Sequence, residues 1–157
     1  MRKIIIAVLC SICCTNVINA QDSAEDFRNG LEEIYASMRS KTDIFEQHMA
    51  EQGVRLKMDV YYSRATDQII FSYEFFSEEM YNAGDLDKGA RQSIFEMARG
   101  FNQSDPSGET LKWFTDGIRK TNTSLVYIVK YKSLQKKKIV TNLEFVKLLV
   151  FHSVLDS

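Results

Sequence analysis

The chain is poorly supplied with groups for covalent chemistry. His48 and His152 are its two imidazoles, and neither stands at a spacing that pairs it with a nucleophile and an acid. No Gly-x-Ser-x-Gly elbow occurs, so a Ser–His–acid triad has no support in the sequence. Both histidines read as boundary residues with one ring nitrogen satisfied. The thiols Cys10, Cys13 and Cys14 all fall in the apolar N-terminal run.

Metal chemistry has two weak footholds. His48 and Glu51 stand three apart on a helical segment, close enough to share an ion, but a transition-metal site takes three or four ligands. Asp85, Asp87 and Glu96 occupy positions one, three and twelve of a calcium loop. Gly89 then stands at position five, and Ala90 stands where the sharp turn needs glycine. Acidic residues opening a helix explain the same pattern. The expectation is therefore no catalytic residue, no metal and no cofactor. A hydrolase using Asp59 and Glu74, on facing strands, is the remaining catalytic reading; paired carboxylates do glycoside chemistry only at the right separation in a cleft.

Binding chemistry is better supplied. Tyr61, Tyr62, Phe71, Tyr73, Phe75, Phe76 and Tyr81 crowd the stretch from 61 to 81. Strand alternation sends Tyr62, Phe71, Tyr73 and Phe75 to one side and leaves Tyr61, Ile70 and Phe76 on the other. An apolar second face packs on a helix, a partner, a second copy or a ligand. Lys136, Lys137 and Lys138 form the one basic cluster, with Lys130 and Lys132 nearby. They read as a basic turn that keeps a hairpin soluble, or that meets an anionic surface. Tyr61, Ile70, Phe76, Lys136, Lys137 and Lys138 are thus the candidate binding residues.

These residues need elements to position them. Residues from about Ser23 to Gln52 carry Phe27, Leu31, Ile34, Met38, Phe45 and Met49 at helical spacings, with a gap in the stripe at Lys41 or Thr42. One long helix is expected, ended by Gly53 as a left-handed cap. Leu56, Met58, Val60 and Tyr62, then Ile69, Phe71, Tyr73 and Phe75, alternate as an antiparallel hairpin turning at 64–67. A short helical turn is expected over 77–82. Asp85 or Asp87 caps a helix running to about Phe101, and Asp105-Pro106 opens another that ends near Asn122. Leu125, Tyr127, Val129 and Tyr131 begin a second hairpin. Thr141 and Glu144 suggest a capping box, so a short strand and then a terminal helix are expected.

The whole reads as one α+β domain: an antiparallel sheet of two hairpins, with a long N-terminal helix and further helices on one face. Segments 23–76 and 109–144 echo each other as helix–hairpin units, without residue-level identity.

The N-terminus bounds the setting. Arg2 and Lys3 precede the apolar run Ile4–Cys14, a polar stretch follows, and Ala20 stands at a cleavage position. The run is shorter than the ~20 residues a spanning helix needs, so residues 1–20 read as a cleaved export signal and 21–157 as the mature domain. Lipidation at Cys14 fits less well, because no small residue precedes it. A mature chain without cysteine cannot use disulfides and must rely on a hydrophobic core. Losing Arg2 and Lys3 takes the net charge from −1 to −3, with no general pull toward nucleic acid.

The expectation is an exported bacterial protein, periplasmic or secreted, with no transmembrane segment after cleavage. It works as a non-catalytic envelope module that binds a protein partner or itself. The alternative is a carrier of a small hydrophobic ligand, lined by Met38, Met58, Met80 and Met97.

Overall fold

The computed structural model describes residues 23–155; the export signal expected over 1–20 lies outside them. The described residues form six helices and four strands. Helix α1 (Ala24–Arg39) opens on Ser23, whose hydroxyl accepts from the Asp26 amide at 3.0 Å. Its apolar stripe buries Phe27, Leu31, Tyr35 and Met38.

The single long helix expected to Gln52 breaks at Ser40 and Lys41, and α2 (Thr42–Glu51) resumes beyond them. The cause is local. Ser40 donates its hydroxyl to the Ser37 carbonyl at 2.7 Å, and Thr42 donates to the Arg39 carbonyl at 3.0 Å. Such side-chain bonds compete with the helical ladder and favour a change of direction. The gap in the stripe marks the break. Gly53 follows the α2 cap Gln52 with φ +81°, the left-handed conformation expected there.

Strands β1 (Leu56–Ser63) and β2 (Gln68–Phe75) form the expected hairpin, with Val60 opposite Phe71 and Tyr62 opposite Ile69. After α3 (Glu78–Ala83) comes α4 (Leu86–Ser104), capped by the Asp85 carboxylate on the Lys88 amide at 3.1 Å. Helix α5 (Glu109–Thr121) starts three residues later than Asp105-Pro106 suggested, with Gly108 at its cap and φ +78°. Asp105 still serves it from a distance. Its carboxylate accepts from the Thr110 amide at 2.7 Å, the Thr110 hydroxyl at 2.8 Å, the Ser107 amide at 3.0 Å and the Ser107 hydroxyl.

Strands β3 (Ser124–Tyr131) and β4 (Leu134–Val140) make the second hairpin, and α6 (Asn142–Leu155) ends the described chain. The turn lies at Lys132-Ser133, so Gln135 to Lys138 belong to β4 and not to a basic turn.

The sheet order is β1-β2-β3-β4, and it is mixed, not the antiparallel sheet expected. Both hairpins are antiparallel inside, but β2 and β3 run parallel down the centre. A parallel pair needs a crossover, and here α3, α4 and α5 supply it. Helix then hairpin recurs in both segments, as the echo implied, but the parallel inner strands limit the likeness to that order. Neither a shift nor a rotation that keeps the helices on one face superposes the hairpins in chain order.

One face of the sheet meets the helices. Leu56, Met58, Val60, Tyr62, Ile69, Phe71, Tyr73, Leu125 and Val140 join the stripes of α1, α4, α5 and α6 in a single core. Phe27 of α1 lies against Phe114 and Trp113 of α5, with ring centroids 6.0 and 5.0 Å apart. Gly117 permits that approach: a Cβ there would stand 2.1 Å from the Phe27 ring.

Candidate functional site

Rows of the sheet, read across the strands, build the site. On the face away from the core, Tyr61, Ile70, Val126 and Ile139 are successive Cα partners, one from each strand. The next row is Asp59, Ser72, Ile128 and Lys137, and the one after is Lys57, Glu74, Lys130 and Gln135. Ile70 and Val126, at the middle of the first row, are buried yet stand apart from the core under the helices. Ile139 at its end is 44 % exposed. The core places α1, α4, α5 and α6 on the opposite face, and Tyr81 of α3 packs there too, against Tyr131 at 6.1 Å. No described helix packs on this second face. An apolar row therefore crosses the whole sheet, with the charged rows on one side of it and the neutral row Ser63, Gln68 and Ser124 on the other.

Tyr61 and Ile70 come together as expected, directly opposite each other. Phe76 does not join them. It follows β2 and is 59 % exposed, but it lies six residues beyond Ile70, about 20 Å along an extended chain.

The lysines divide for the same reason. Lys137 is on the second face beside Ile128, whereas Lys136 and Lys138 point to the helical side, in line with Val129 and Tyr127. Lys136 sits over the Tyr81 ring, its Nζ 4.3 Å from the centroid. Lys138 pairs with Asp87 at the start of α4, Nζ to Oδ1 2.6 Å. That pairing holds the Asp87 carboxyl below its ordinary range. Strand alternation separates what proximity in sequence had grouped. Val126, Ile128 and Ile139 went unrecognised; their alternation was legible, but not the strand order that sets them beside Ile70.

Charge flanks the row on one side. Arg39 reaches round the β1 edge to Asp59, Nε to Oδ1 2.7 Å, and its guanidinium lies 5.6 Å from the Tyr61 ring centre. Glu74 stands between Lys57 and Lys130 in its row. Asp59 and Glu74 therefore sit one row apart on the second face of the sheet, each beside cationic side chains.

The hairpin is anchored from the helical side. Arg28 of α1 donates to both carboxylate oxygens of Asp67 at 2.9 Å, and the Tyr62 hydroxyl donates to the same carboxylate. The Arg28 hydrogen bond is the main reason the Asp67 carboxyl is held down. Burial first, then the carboxylate, pushes the Tyr62 hydroxyl well above its usual range. Asp67 itself adopts φ 48°, a left-handed turn position that Asp tolerates. This cluster orients β1, and so presents Tyr61 and Asp59 outward.

A second feature is a cleft of about 570 Å³ between the start of α4 and the end of α6. Asp85, Lys88 and Arg91 line its polar side, and Phe95, Phe151 and His152 its apolar side. The His152 ring meets Phe95 edge to face at 5.1 Å, and its Nδ1 is buried without a hydrogen-bond partner. Glu96, position twelve of the calcium pattern, is 2 % exposed, with Gln92 donating to it at 2.8 Å. It lies more than two helical turns past Asp87, about 13 Å along the axis, so the three carboxylates do not converge. No group of three or more potential metal ligands is found among the described residues. Nor is any helix among them long and apolar enough to cross a membrane.

The four methionines of the carrier reading separate as well. Met38, Met58 and Met97 are core residues, and Met80 is 37 % exposed on α3. No family model, curated protein or solved structure matches the chain.

Proposed function

We propose that this is an exported, non-catalytic binding protein of the bacterial envelope that engages a protein through the second face of its sheet. One observation carries the reading: the row Tyr61–Ile70–Val126–Ile139 runs unbroken across all four strands, on a face that no described helix covers. Its Ile139 end is 44 % exposed beside the charged Lys137, and an exposed apolar residue with a polar rim supports a protein contact there. Export rests on the basic start, the apolar run and Ala20, with the mature chain beginning at Gln21.

The test is photo-crosslinking in the host from a benzophenone side chain placed at position 61 or 139, with position 33 on the exposed side of α1 as control. Both sheet positions should yield a protein adduct and the control should not. Equal yields from all three would remove the reading.

The cleft supports a second reading. Its apolar floor of Phe95, Leu148 and Phe151, beside Lys88 and Arg91, suits a small molecule with a hydrocarbon body and an anionic head. Organic extraction of protein from the host's exported fraction should then release such a molecule; a clean extract rejects it.

A further inference from the structure

We infer that the outward side of α6 rests on an anionic lipid bilayer, with Leu143, Val150 and Phe151 entering its apolar layer. This contact is additional to the one proposed for the sheet and does not depend on it.

The warrant is a helix with no polar side. Nine of the fourteen residues of α6 are apolar, and the five polar ones, Asn142, Glu144, Lys147, His152 and Ser153, are scattered round the axis. A surface helix ordinarily turns polar residues to solvent, and one that is apolar all round is covered on every side. Here the core covers one side, through Phe145, Val146 and Leu149. On the other, Leu143, Val150 and Phe151 are 74, 42 and 57 % exposed. Their spacings of seven and eight residues set them along one line, about 11 Å from end to end. Three of the eight large apolar residues exposed among the described residues thus gather on one helix. A helix presenting such a line lies flat in a bilayer surface, its apolar side chains at one depth.

Shape favours lipid over protein. Three side chains on a convex ridge fall well short of the ~800 Å² per partner in a standard protein interface. A fluid bilayer needs no matching groove. Phe151 also borders the cleft, where Phe95 and Leu148 offer an acyl chain further apolar surface.

Charge supports the same occupant. Asp87 and Glu144 are taken up by Lys138 and Arg91, and Asp85 caps α4. Lys88 at the cleft and Lys147 within the ridge pair with no carboxylate among the described residues. Their long stems let both ammonium groups reach lipid phosphates while the ridge enters the apolar layer.

Flotation tests the contact, using protein from the host's exported fraction and vesicles of phosphatidylglycerol and phosphatidylcholine in equal parts. The wild-type chain should float with the vesicles. Phe151→Asp and Leu143→Asp should each weaken binding about tenfold or more. Ile44→Asp is the control: Ile44 is an exposed apolar residue of α2, and its replacement should leave binding unchanged. Vesicles of phosphatidylcholine alone should bind severalfold less. All three positions are exposed, so the variants should keep the fold, and circular dichroism checks each. A wild-type chain that stays out of the vesicle layer would overturn the inference. So would Phe151→Asp binding as well as wild type, Ile44→Asp losing as much, or equal binding to both vesicle types. A wild-type dimer in sedimentation that Phe151→Asp dissociates would place a second copy on the ridge and remove the bilayer. Crosslinks from the sheet are judged separately. An amphiphile extracted from a chain that binds no vesicles would keep the cleft reading and remove this one.

Discussion

Gly117 shows how far one atom governs this fold. A methyl group there would stand 2.1 to 2.4 Å from three carbons of the Phe27 ring, which is itself buried against Phe114. The ring cannot retreat without leaving the α1 stripe. Gly117→Ala should therefore destabilise the protein by about 2 kcal/mol or more. Thermal unfolding followed by circular dichroism should show Tm lowered by several degrees. An unchanged Tm would mean that α1 and α5 have room to spare. Other residues at this scale divide into the legible and the hidden. The inward set of the first hairpin was readable from alternation alone, because a strand has only two faces. The lysines were not: a run of three consecutive residues looks like one patch until its backbone is known to be extended. Lys136 and Lys138 then serve Tyr81 and Asp87 on one side, and Lys137 alone faces the other.

Elements are joined here by carboxylates that accept several hydrogen bonds at once. Asp105 ties the end of α4 to the first turn of α5, and the hydrogen bonds from Ser107 and Thr110 bring its carboxyl down to about 2. Asp67 ties α1 to the hairpin, and Arg28 keeps its carboxyl low as well. The sign follows from linkage. A carboxyl depressed in the folded state contributes stability above its ordinary value of 3.8, and that contribution disappears as pH falls through the folded value. Tm should thus be level down to about pH 4 and decline toward about pH 2. Asp105→Asn should lower Tm at neutral pH and flatten part of that decline. A wild-type Tm that stays level to pH 2 would contradict the role given to both carboxylates. The boundaries of these elements were legible wherever a cap or a turn residue marks them, as at Ser23, Gly53 and Asp85. The division of the first helix was signalled only by a gap in its apolar stripe. Ser40 and Thr42 turn that gap into a break through bonds to carbonyls three residues back.

At the scale of the molecule, the described helices pack on one side of the sheet, and the other side carries the row Tyr61, Ile70, Val126 and Ile139, buried at its middle and exposed at Ile139. What the sequence by itself determined is local. Periodicity, caps and turn residues dictate which segments are helix or strand and which side chains share a face, because those depend on neighbours a few positions away. The basic start, the apolar run and Ala20 likewise carry the expectation of export without any fold. Only the tertiary structure decided the strand order, and with it the parallel pairing of β2 and β3 that sets Ile70 beside Val126. That choice depends on how three helices between residues 78 and 121 pack on one face, burying Phe114, Ile94 and Ile118. No window of sequence contains that packing, since its energy lies in contacts between segments far apart in the chain.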